Sequence, residues 1–155
     1  MGAAFFYHLT QNPLEVTLPL LLEKARGAGW TVLVRGTEAA HIDWLDEKLW
    51  TGRDDAFLAH GRAGGPHDAM QPILLSTDPG NPNNAPCIMG VDGAEITAEE
   101  VNASERVCIL FDGQNDEAMD RARRQWKALT DAGCAAQYWS EETGRWQKKR
   151  DTAEA

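Results

Sequence analysis

The chain has 155 residues, 43% of them hydrophobic and 25% charged, the composition of one ordinary globular domain. A net charge of −9 excludes broad nucleic-acid binding, because neutralising phosphates takes clustered cations in a permissive field. Three widely spaced cysteines, Cys87, Cys108 and Cys134, exclude a Cys-x-x-Cys zinc ribbon or redox dithiol, and their apolar neighbours predict small buried thiols in a reducing cytoplasm.

In chain order, Met1 to Tyr7 lacks the charged start and long apolar run of a signal peptide. Phe5 to Leu9 reads as a first strand. Thr17 offers a helix N-cap and Pro19 suits a first turn, with Leu18, Leu21, Leu22 and Ala25 at helical spacing and Gly27-Ala28-Gly29 as the stop. Thr17 to Leu22 is far too short to span a bilayer. Trp30 to Val34 is a second strand, and strand, helix, strand in this order predicts a right-handed parallel crossover. A second helix is expected from Ala39 to Trp50, with Ile42, Leu45 and Leu49 on one stripe. Thr51 to Gln71 reads as irregular, Pro72 to Leu75 as a short buried strand, and Asp78 to Pro86 as loop. Cys87 to Gly90 and Val107 to Phe111 are two more strands. Glu117 to Ala132 is the best-defined helix, closed by Gly133 at C′, and Ala136 to Trp139 is the last predicted strand. Strands alternating with helices predict a single three-layer α/β domain with a mainly parallel central sheet, over residues 1–148, followed by a charged tail at 149–155.

Charge is distributed unevenly. Residues 1–120 carry 7 basic and 19 acidic side chains, whereas 121–155 carry 8 basic and 5 acidic. A positive patch kept against the overall balance implies a partner of negative charge. Its centre is Ala122-Arg123-Arg124-Gln125-Trp126-Lys127. Arg123 and Lys127 are four residues apart on the predicted helix, so their heads project from one face beside Trp126. Two cations and an aromatic wall suit a carboxylate attached to an apolar side chain, Arg supplying a bidentate fork. The plainer alternative is a solvated basic face with Trp126 plugging the core.

Two other clusters are weaker. His41 and Asp43, followed by Asp46 and Glu47, suggest a metal or acid–base site, but their spacing fits a solvated helix face beside Lys48. His60 and His67 flank Gly61, Gly64 and Gly65, a loop that imitates a phosphate cradle without the Gly-x-Gly-x-x-Gly or Walker pattern. No cofactor or metal is expected.

Several segments together resemble the chi subunit family of bacterial DNA polymerase III. They are Phe6-Tyr7-His8-Leu9, Leu45-Asp46-Glu47-Lys48-Leu49-Trp50, Phe57-Leu58-Ala59-His60-Gly61, Gln71-Pro72-Ile73-Leu74-Leu75, Ala122-Arg123 with Trp126-Lys127 and Gly133, and Tyr138-Trp139 with Gly144-Arg145-Trp146. They run in order from about residue 5 to residue 148. The resemblance implies a Rossmann-like sandwich without a working nucleotide site, acting as a non-catalytic replisome adaptor in the cytoplasm. One face would bind the acidic C-terminal tail of single-stranded DNA-binding protein, which ends in Phe with a free carboxylate. Carried over by position, Arg123 takes that carboxylate, Lys127 lies nearby and Trp126 walls the Phe pocket. Trp50 and Phe57 would dock the psi subunit, another clamp-loader component or a repair helicase. No direct contact with DNA or membrane is implied. Ala59 departs from the family's usual Pro, and Met119 stands where some members carry a cation toward the tail, leaving Arg121 or Arg124 to compensate. The competing expectation is a small α/β hydrolase or nucleotide-dependent enzyme using the His60–His67 loop.

Overall fold

The computed structural model describes residues 2–51, 60–78, 80–141 and 146–152. Strands β1 (Ala3–Leu9), β2 (Val32–Arg35), β3 (Gly61–Arg62), β4 (Ile73–Ser76), β5 (Cys87–Gly90), β6 (Arg106–Asp112), β7 (Ala135–Ser140) and β8 (Gln147–Asp151) form one sheet. Helices are α1 (Leu14–Gly27), α2 (Ala39–Trp50), α3 (Ala98–Ala103) and α4 (Asp116–Asp131). The strand order is β3-β4-β2-β5-β6-β1-β7-β8, parallel throughout except for the antiparallel pairing of β8 with β7. This is the predicted three-layer α/β architecture, a Rossmann-like sandwich. Among the described residues no helix is long and apolar enough to cross a membrane.

Strand residues explain the layering. β2, β4 and β5 are buried at every position, as expected of parallel strands covered on both faces. Alternate side chains feed two cores. Val32, Val34, Ile73 and Leu75 pack with Leu18 and Leu22 of α1 and Ile42 and Leu45 of α2. Leu33, Leu74, Ile88, Ile109 and Phe6 pack on the other face with Val101 of α3 and Ala122 and Leu129 of α4. All three cysteines are buried and unbridged, in accord with their apolar settings.

The predicted bounds of α2 and β5 match the observed ones. Helix α1 starts earlier than Thr17, at Leu14 after Pro13, and Thr17 is a buried interior position. Pro19 therefore sits inside the helix, where its lack of an N–H removes one bond of the ladder. The loop around Asp78–Pro86 is irregular but tied down: Asn81 exchanges two 2.9 Å bonds with Ala85, and buried Asn83 donates to Val32 O and Gln71 O. Three elements of the sheet and its helices went unpredicted, the first being the two-residue strand β3 within the stretch read as irregular. Helix α3 is announced by a capping box, Thr97 accepting from Glu100 N while the Glu100 side chain bonds Thr97 N. The basic segment expected to fray after Lys148 is strand β8.

Candidate functional site: an aromatic, basic cleft between helix α4 and strand β8

Helix α4 is defined at both ends. Asn115 caps it by accepting from Ala118 N, and Asp116 and Glu117 complement the first turn. At the other end Gly133 N bonds Thr130 O and Cys134 N bonds Leu129 O, a Schellman closure that requires the positive φ of 87° at Gly133. Ala122 and Leu129 anchor the helix on the sheet, while Met119 and Trp126 lie half-buried along its margin.

That margin opens into a pocket of about 300 Å³ lined by Phe111, Met119, Ala122, Arg123, Trp126, Tyr138, Lys149 and Arg150. Its aromatic wall is held from behind. Trp126 meets Phe6 edge-on at 5.3 Å and Tyr138 at 6.1 Å. Tyr138 Oη lies 2.7 Å from His8 Nδ1, and the His8 ring stacks on Phe111 at 5.1 Å. The His8 ring in turn needs glycine at 113, where a Cβ would stand only 2.1 Å from it. Among the described residues the lining carries three cations and no carboxylate, on a chain of net charge −9. Its chemistry suits an apolar or aromatic side chain bearing a carboxylate.

Of the residues predicted for this site, Arg123 and Trp126 line the pocket together. Arg123 also touches Asp120 at 3.2 Å, an exposed pair of little energetic weight. Lys127 is not in the lining; its ammonium bonds Asp131 at 3.0 Å. Arg121 turns away, donating to Asp92 O at 3.3 Å, so it does not make up for Met119. Lys149, Arg150 and Tyr138 were missed as site residues; the signal available was the Lys148-Lys149-Arg150 run, read as tail. In the proposed second partner face, Trp50 is 54% exposed with its ring 4.3 Å from that of His60, and Phe57 lies outside the described residues.

The other candidate clusters are occupied by the fold itself. His60 is buried with Nε2 near Asp46 O and Oδ1 at 3.1 and 3.2 Å, whereas His67 is exposed. The Gly64 and Gly65 amides already donate to the Asp68 carboxylate, at 2.9 and 3.0 Å, so the imitation phosphate cradle is filled. Asp43 pairs with Arg62, and His41 Nδ1 bonds Asp92 Oδ1. In α/β sheets ligands favour the crevice beyond the carboxyl ends of the strands. Here that crevice, about 680 Å³, exposes Glu15, Glu38, Asp92, Asp112 and Glu117, a lining hostile to phosphate. At the β1–α1 turn, three successive amides, Thr10 N, Gln11 N and Asn12 N, form an anion nest. Glu141 Oε1 fills it at 3.1, 3.0 and 3.0 Å. Burial alone would raise the pKa of Glu141, but the hydrogen bonds from Asn12, Gln11 and Thr10 prevail and hold it below its ordinary value.

A family model described as DNA polymerase III chi subunit, HolC, matches residues 1–137. A probable DNA polymerase III subunit chi from Rickettsia prowazekii (strain Madrid E) is 25% identical over 111 residues, covering 68% of this chain and 67% of the relative.

Proposed function

Since the chain belongs to the DNA polymerase III chi subunit family, a family of replisome accessory proteins, we propose that it is a non-catalytic adaptor whose α4–β8 cleft captures the C-terminal tail of single-stranded DNA-binding protein. The supporting observation is that Arg123 and Trp126 line one pocket with aromatic walls, two further cations and, among the described residues, no acidic side chain. The tail's last side chain enters the pocket against Trp126 and Tyr138, and Arg123 takes its terminal carboxylate. On the opposite layer, the α2 face bearing Trp50 docks psi, another clamp-loader component or a helicase, and Phe57 is assigned to the same partner. The protein works in the cytoplasm and reaches DNA through a DNA-binding partner, which reconciles a replication role with an acidic chain.

One buried aromatic ring and one charge-assisted carboxylate give roughly micromolar binding, about −8 kcal/mol. The test is titration of a fluorescent peptide ending in acidic residues, Pro and Phe with a free carboxylate against wild type and Arg123→Ala. Removing the guanidinium costs about 1.5–3 kcal/mol of affinity. Equal binding by both proteins refutes the assignment of Arg123, and no binding by wild type refutes the adaptor reading. A thermal-shift screen with nucleotides and divalent metals addresses the enzyme alternative; a clear stabilisation by either class would favour it.

A further inference from the structure

Strand β8 contains an irregularity that bears on the proposed cleft, and the inference drawn from it rests on that reading. A regular strand sends consecutive side chains to opposite faces, so only one of any two neighbours can face α4. In the β7–β8 ladder Tyr138 is opposite Arg150 and Trp139 is opposite Lys148, which leaves Lys149 as an inserted residue between the two pairs. Such a bulge re-aims side chains. Its result here is that Lys149 and Arg150, though consecutive, both line the cleft. Arg150 lies over the Trp126 ring at 5.5 Å, a cation–π contact that fixes it against the aromatic wall. Lys148, on the far side of the bulge, bonds Asp151 at 3.0 Å. On α4 the lining holds Met119, so β8 supplies two of the three cations. The strand lies beyond the residues matched by the family, which end at 137.

We infer that Lys149 and Arg150, delivered together by the bulge in β8, form a second basic wall that binds the acidic residues preceding the terminal aromatic residue of a captured peptide. Arg123 and Trp126 read the last residue, and β8 reads the charge behind it. The occupant is therefore an acidic peptide with a free carboxy terminus, selected by charge complementarity on both sides of the cleft. Because these contacts are exposed, they raise affinity chiefly at low salt.

The full-length chain is titrated with two fluorescent peptides, three aspartates followed by Pro-Phe with a free carboxylate, and the same peptide with asparagines for the aspartates. The double variant Lys149→Gln/Arg150→Gln is expected to bind the acidic peptide about tenfold more weakly than wild type at low salt, and the neutral peptide within about twofold of wild type. Arg123→Ala weakens both peptides. Should the double variant fold poorly, Lys149→Gln alone, at an exposed bulge position, carries the same test with a smaller effect. If the β8 variants bind the acidic peptide as wild type does while Arg123→Ala does not, the second wall is refuted and the cleft remains. If wild type binds neither peptide, both readings fall together.

Discussion

Two places in this fold gather donors for a carboxylate, and they differ in what the donors are made of. At the β1–α1 turn they are backbone amides, set by the path of the chain, and Glu141 occupies them. In the α4–β8 cleft they are the side chains of Arg123, Lys149 and Arg150, lining a pocket that shows no acidic side chain among the described residues. An amide nest satisfied from within stabilises the fold and closes the position where α/β proteins commonly hold phosphate. A cluster of long, exposed cations beside aromatic rings contributes little to stability. The first arrangement is structural and the second is proposed to be recognitive, so substitutions should separate them.

The largest effect is expected at the nest. Glu141→Ala removes the acceptor of three amide bonds from a residue only 3% exposed, and should cost about 3 kcal/mol of stability. For a chain of this size that lowers Tm by about 10 °C, measurable by calorimetry, while peptide affinity stays at the wild-type value. Arg123→Ala should do the converse, losing about 2 kcal/mol of peptide binding with Tm unchanged. If either substitution moved both quantities, the division between the two sites would be wrong.

Acid sharpens the comparison. Because the folded-state pKa of Glu141 is depressed, its contribution is complete above the ordinary glutamate range and is lost as pH falls through the lowered value. Glu100, lowered chiefly by its hydrogen bond with Arg35, titrates in the same sense. Denaturant unfolding between neutral pH and about pH 3 should show a shallower loss of stability in Glu141→Gln than in wild type. Parallel curves would remove Glu141 from the account. The smallest effect belongs to Lys127→Ala. With its ammonium on Asp131 outside the cleft, the substitution should change peptide affinity by less than about 0.5 kcal/mol. A loss as large as that of Arg123→Ala would place Lys127 at the carboxylate after all.

Legibility from sequence followed the same division between backbone and side chain. The stripe of Ile42, Leu45 and Leu49 and the run Cys87-Ile88-Met89-Gly90 revealed α2 and β5, because helical period and continuous burial are local properties. Arg123 and Trp126 were legible for the same reason, being three apart on one helix. The start of α1 was misread because Pro19 resembles a first-turn residue, although Pro13 and Glu15 mark the true start. Lys149 and Arg150 were not legible. Their place depends on β8 pairing with β7 and on a bulge that overrides the two-residue period, neither of which leaves a mark in Gln147-Lys148-Lys149-Arg150-Asp151. The occupant of the nest was hidden too, since Glu141 is far along the chain from Thr10.

The position of β1 in the middle of the sheet has a consequence for how the protein is made. Its residues 3–9 pair on one side with 106–112 and on the other with 135–140. Strand β1 is synthesised before both of its neighbours and therefore waits, with Phe5 and Phe6 unpaired, until residues 106–140 have followed. Closing so long a loop late makes for slow, non-local folding and leaves an apolar nascent segment in need of shelter. Because β8 follows β7 in the chain and pairs with it, the α4–β8 cleft closes only after the strands that support it have been made.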